Sequence, residues 1–184
     1  MRLLIALTLL AAGCAASPEP ADEAPVEGDL LSTYYPAPQD VVERMLDLGG
    51  LAPRQIHIDL GSGDGRIVVA AAQRGAESIG YEIDDDLVKL SRHKLERLQL
   101  TARAQILRRD MLDADFSRAD LITVFLTPEA LERLAWPLRH ELRHGARIVA
   151  YKFPLPGWTP VETVAFEDDD STTPTHELYL YRQL

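Results

Sequence analysis

A single cysteine, Cys14, stands among the 184 residues, so no disulfide can close within the chain in any compartment. Positive charge is also scarce. Nineteen Lys and Arg against 29 Asp and Glu leave a formal net charge of -10. Phosphate contacts need a surplus of cations, so this balance argues against a nucleic-acid binder. The apolar run from Leu3 to Leu10 is far too short to span a bilayer. No internal repeat is evident. A chain of 184 residues, 46% hydrophobic and 26% charged, suits one domain with one core, and a monomer is expected.

The amino end has the order of an export signal: Arg2, the short apolar run, then small residues. The stretch "LLAAGC" resembles the lipobox of bacterial lipoproteins, in which the Cys becomes the first mature residue and carries a lipid. Residues 1–13 then read as a lipoprotein signal peptide and Cys14 as the lipidation site, with cleavage just past Cys14 as the alternative. Residues 14–30, rich in Pro, Ala and acids with no apolar period, read as a flexible linker, and residues 31–184 as the folded domain. This reading anchors the protein to a membrane. A start at a non-Met codon such as Val26 or Leu31 would instead leave it cytoplasmic.

From there strands and helices alternate. An amphipathic helix over "PQDVVERMLDLGG" buries Val41, Val42, Met45 and Leu46, and "QIHIDL" is a first strand. The apolar "RIVVAAAQRG" is a helix packed closely on a sheet. "SIGYEI" is a second strand, followed by a helix from about Asp84 to Leu98. "AQILRRDM" and "ADLITVFL" are third and fourth strands; Thr127 and Pro128 then open a helix as cap and first-turn residue. "ARIVAYKF" is a fifth strand, and "PVETVAF" and "HELYLYRQ" pair antiparallel. The expected fold is α/β: a Rossmann-like, doubly wound, mostly parallel seven-stranded sheet with an antiparallel C-terminal strand, and a ligand at the carboxyl ends of the strands.

"DLGSGDGR" follows the first strand there. A dinucleotide fingerprint wants its third glycine at position 66, which is Arg, whereas the loop glycines are Gly61, Gly63 and Gly65. Asp59 and Asp64 flank the turn. A pyrophosphate ~5 Å from one of them would be repelled by about 3 kcal/mol at an effective dielectric near 20. S-adenosylmethionine has no phosphate and carries a sulfonium and an ammonium, so acids by its methionine end help it. On this reading Asp59, Gly61, Ser62, Gly63, Asp64 and Gly65 cradle that end. Glu82 accepts from the ribose hydroxyls, Asp110 accepts from the adenine amino group, and Met111 offers an apolar face to the ring. No metal is expected.

At these residues the chain resembles the class I, seven-β-strand methyltransferases, whose cofactor motifs "DLGSGDGR", "GYEID" and "RRDM" match. "YYPAPQDVVERMLDL" and "YKFPLPGWTP" are similar to the group that holds bacterial homologues and the lysine methyltransferases of the adenine nucleotide translocase and the ATP synthase c-subunit. The resemblance implies methyl transfer from S-adenosylmethionine to a lysine amine of a protein partner. After the fourth strand, relatives acting on bases or glutamine often carry Asn or Asp and two prolines. Here "FLTPE" stands instead, which turns the reading away from those acceptors. Two rival readings are an exported, lipid-anchored Rossmann-like binding domain without methyl transfer and, ranked last, an NAD-dependent oxidoreductase.

A lysine must lose its proton before it attacks, and an apolar slot favours the neutral amine. Candidates to line the slot are Tyr34, Tyr35, Phe125, Phe153 and Trp158, with Tyr35 and Trp158 preferred and Phe125 read as strand packing. Thr127 and Glu129 are further candidates to line the active site. His57, mid-strand, reads as a packed core histidine, His93, His140 and His144 as surface residues, and "EDDDSTTPTHE" as a solvated hairpin connection.

Overall fold

The computed structural model describes residues 34–167 and 176–184. The signal-peptide, Cys14 and linker readings, and most of the "EDDDSTTPTHE" connection, lie outside these residues.

Seven strands form one sheet: β1 (Ile56–Leu60), β2 (Glu77–Glu82), β3 (Ala104–Arg108), β4 (Leu121–Val124), β5 (Arg147–Tyr151), β6 (Glu162–Phe166) and β7 (His176–Arg182). Their order is β3-β2-β1-β4-β5-β7-β6. Neighbours from β3 through β5 are parallel, while β7 runs antiparallel to both β5 and β6. The order reverses between β1 and β4, and a doubly wound sheet opens its ligand crevice at such a switch point.

Four helices cover the sheet: α1 (Gln39–Leu48), α2 (Arg66–Gln73), α3 (Asp85–Arg97) and α4 (Pro128–Glu141). α1 buries Val41, Val42, Met45 and Leu46 against Ile67 and Ala71 of α2 and the sheet residues Leu121, Val149 and Leu178. The other side of α2, Val68 and Ala72, packs on Val88 and Leu95 of α3. An apolar residue on nearly every face of α2 is therefore used. On the opposite face of the sheet, α4 sets Leu131, Leu134 and Leu138 against Ile58, Ile122 and Ile148. Each such leucine contributes roughly 1.5–3 kcal/mol by leaving water.

β3 and β4 stop earlier than the sequence reading has them. β3 stops at Arg108 because Asp110 caps a 3-10 turn, Met111–Asp113, accepting from the Leu112 N–H at 2.9 Å. β4 stops at Val124, so Phe125 and Leu126 lie beyond the sheet although both are apolar.

Candidate functional site

The turn after β1 is shaped by its glycines. At Gly63, φ is +53° and an added Cβ would meet the Tyr34 ring at 2.7 Å. At Gly65, φ is +75° and a Cβ would meet the Ser91 side chain of α3 at 2.7 Å. Both positions therefore demand a left-handed conformation and a close approach, which only glycine supplies without strain. The turn folds back on β2: the Gly61 and Ser62 N–H groups both donate to the Tyr81 carbonyl, at 3.0 and 2.9 Å.

Glu82 ends β2 and fastens this turn. Its carboxylate accepts from the N–H of Gly63 at 2.7 Å, of Ile83 at 2.8 Å and of Asp84 at 3.0 Å. Asp84 in turn caps α3, accepting from Asp86 and Leu87. One acid thus ties the glycine loop to the start of α3.

The two aspartates of "DLGSGD" differ in environment. Asp64 accepts from Arg66 at 2.8 Å and from Lys94 of α3 at 2.9 Å. Burial alone would raise this carboxyl, but hydrogen bonds from Arg66 and Lys94 outweigh it and hold the group at about 2. The charge that the sequence reading assigned to the cofactor's cationic end is already matched by two protein cations. Arg66 also donates to the Ala37 carbonyl at 2.6 Å, strapping Tyr34–Pro38 across the loop. Among the described residues Asp59 has no cationic partner. It is 2% exposed and accepts from the Thr123 hydroxyl through Oδ1 at 2.7 Å; among the described residues no donor reaches its buried Oδ2. Burial drives the carboxyl up to about 7, the Thr123 hydrogen bond opposes the rise, and the charges of Glu82 and Asp64 add to it.

A cavity of about 330 Å³ opens over these groups at the carboxyl ends of β1, β2 and β4. Asp59, Gly61, Ser62, Gly63, Asp64, Glu82, Asp110 and Met111 all line it, together with Tyr34, Tyr35 and Phe125. Gly65 is the one expected cradle residue outside the lining; it serves as the cap of α2. Arg66, Ile83, Leu87, Arg109 and Leu126 also line the cavity, and sequence reasoning missed them. The "DGR" triplet held a signal for Arg66, an arginine two residues after an acid on a tight turn.

The aromatic candidates divide. Tyr35 meets Phe125 edge-on at 6.4 Å, and Phe125 packs on Tyr151 at 4.4 Å and against the core beneath it, so Phe125 is both core packing and a wall of the cavity. Trp158 is not brought there. Its ring packs edge-on against Tyr181, its indole N–H donates to the Ala135 carbonyl at 3.2 Å, and Arg139 lies over its face. Phe153 packs against the same core as Trp158. Thr127 is the α4 cap, accepting from Ala130 at 3.4 Å, and neither Thr127 nor Glu129 lines the cavity. Among the described residues no group of three or more His, Cys, Asp or Glu is placed to hold a metal ion.

A family model described as the ANTKMT methyltransferase domain matches residues 59–162, from Asp59 through the first residue of β6. The chain belongs to this methyltransferase family. It is 35% identical over 150 residues to a protein-lysine N-methyltransferase of Saccharolobus islandicus, covering 80% of this chain and 91% of that one. It is 34% identical over 162 residues to a Xenopus laevis lysine N-methyltransferase of the ATP synthase c-subunit, covering 88% and 70%. Among solved structures, an RNA methyltransferase from Salinibacter ruber in complex with S-adenosyl-L-homocysteine aligns with a TM-score of 0.73 at 33% identity, covering 80% of this chain and 93% of that one.

Proposed function

We propose that this chain is an S-adenosylmethionine-dependent methyltransferase whose acceptor is a lysine side chain of a protein. The observation that carries the reading is Asp59: a carboxylate more than nine-tenths buried, lining the cavity, with one oxygen that no donor among the described residues reaches. Asp59 would hold the methionine ammonium. Glu82 would accept from the ribose hydroxyls while keeping its own backbone contacts, and Asp110 with Ile83 and Met111 would hold the adenine. When bound, the cofactor supplies a methyl carbon activated by the adjacent sulfonium, open to in-line attack by a neutral amine. Tyr35 and Phe125 exclude water from the acceptor and favour its neutral form, since a lysine of ordinary pKa about 10.4 is almost wholly protonated at neutral pH.

A protein acceptor is supported by the named activities of the two curated relatives. One structural relative is described as an RNA methyltransferase, but the chain as a whole carries a net charge of -10, which disfavours a polyanionic acceptor. The test is methyl transfer from tritiated cofactor to a mixture of proteins and RNA, followed by hydrolysis. The label is expected in methylated lysine; label in nucleotides alone would contradict the assignment. Tyr35 is 71% exposed, so Tyr35→Ala should leave the fold intact. It should raise the acceptor KM about fivefold, on the order of 1 kcal/mol of lost aromatic contact. An unchanged KM in steady-state assays would remove Tyr35 from the slot.

We also propose that Cys14 carries a lipid that anchors a monomeric enzyme to a membrane, on the strength of "LLAAGC" after the short apolar run. No helix among the described residues is long and apolar enough to cross a membrane. Labelling cells with a radioactive fatty acid should mark the wild-type chain and not Cys14→Ala. Equal labelling of both would rule out this site.

A further inference from the structure

Asp59 is the last member of a buried chain of polar side chains that crosses three strands. The Ser78 hydroxyl of β2 lies 2.7 Å from Nδ1 of His57, and Nε2 of His57 lies 2.9 Å from the Thr123 hydroxyl of β4, which donates to Asp59 Oδ1 at 2.7 Å. Strand register sets this up: His57 stands beside Ser78, and Asp59 beside Thr123. Ser78, His57 and Thr123 are 1%, 0% and 0% exposed. Three buried polar residues are a costly way to fill a sheet face unless each is satisfied. This set ends at the cavity on a carboxylate, one of whose oxygens no described residue reaches.

The protons in the chain are constrained. An ionised Asp59 can only accept, so Thr123 donates its single proton to it. The Thr123 oxygen must then accept from His57, which places the ring proton on Nε2. Nδ1 is left bare and accepts from Ser78. Burial lowers His57 to about 3, so the ring is neutral and both nitrogens cannot donate at once. When Asp59 is protonated instead, every donor can reverse.

We propose that Ser78, His57 and Thr123 form a one-directional donor chain that positions Asp59 for the ammonium of the cofactor, so that filling the amino-acid end of the cleft fixes His57 as its Nε2–H tautomer. This rests on the cofactor reading above. His57 is thus a positioning residue that acts through Thr123, without touching the ligand. A carboxylate held by an aligned donor keeps one orientation at the cavity wall, and each charge-assisted bond adds to the preference for the ionised form.

Two probes separate this role from plain packing: S-adenosylhomocysteine, which has the ammonium, and methylthioadenosine, which lacks the whole amino-acid end. Thr123→Val keeps the shape and removes the hydroxyl. It should weaken S-adenosylhomocysteine at least about tenfold, the loss expected for one charge-assisted hydrogen bond, and leave methylthioadenosine within about twofold. In the wild-type chain, nitrogen-15 spectra of the imidazole should show His57 as Nε2–H alone once S-adenosylhomocysteine saturates the protein, and a mixture with methylthioadenosine. Equal weakening of both ligands, or a proton on Nδ1 in the S-adenosylhomocysteine complex, would overturn the proposal while the cofactor reading stands. Failure of the wild-type chain to bind S-adenosylhomocysteine would overturn both.

Discussion

Asp59→Asn is expected to make the free protein more stable at pH 8, by about 1–2 kcal/mol, and to weaken S-adenosylmethionine about a hundredfold. The two effects have one cause. Burial holds the Asp59 carboxyl near 7, against an ordinary 3.8. As pH rises from about 4 to 7 the unfolded chain releases this proton and the folded chain keeps it, so stability is full below the unfolded value and falls until the folded value is passed. Asparagine does not titrate and escapes that fall. A shift of about three units is worth at most about 4 kcal/mol, and a buried amide N–H left without an acceptor takes back about 1–3. The gain should therefore appear in urea denaturation at pH 8 and turn into a loss at pH 4, where the penalty of the unpaired amide stands alone. Binding goes the other way, because a neutral amide cannot match a buried ammonium. A variant less stable than wild type at pH 8, or one with unchanged affinity by calorimetry, would contradict the assignment.

Glu82→Ala is the second large effect, and it is not confined to the ligand. Removing the carboxylate should weaken S-adenosylmethionine about a hundredfold, through two lost hydrogen bonds of roughly 1.5–3 kcal/mol each partly replaced by water. It also strands the Gly63, Ile83 and Asp84 N–H groups, of which Gly63 is buried, so stability should fall by about 2 kcal/mol. Glu82→Gln keeps one acceptor oxygen and should recover about half of the stability while remaining weak in binding. Calorimetry and thermal denaturation on the two variants read both effects. Full affinity in Glu82→Ala would mean that another group meets the ribose.

The parts of the site that could be read from sequence are those whose cause is local. The glycines at 61, 63 and 65, Glu82 closing the second strand and Asp110 just past the third are visible in a few residues, and the alternation of strands and helices gives the sheet. The partnership of Asp64 with Lys94 spans 30 positions and depends on how α3 lies over the loop, which no short window reveals. Phe125 reads as strand because "VFL" continues an apolar run, whereas the strand's pairing ends at Val124. Trp158 sits in an unusual stretch, "FPLPGWTP", whose rarity suggests chemistry. The indole instead locks the segment after β5 onto α4, where Arg139 also donates to the Gly157 carbonyl. His57 reads as a core histidine, and it is buried; that it connects to the cleft is a matter of strand register between β1, β2 and β4.

The decisive measurement is a calorimetric titration of the 184-residue chain with S-adenosylmethionine and, separately, with NAD. A cleft lined by a buried carboxylate with no cationic partner among the described residues should bind the sulfonium ligand at one saturable site and leave NAD unbound at millimolar concentration. Binding of NAD in its place, or no heat from S-adenosylmethionine at that concentration, would contradict the function assigned to this site.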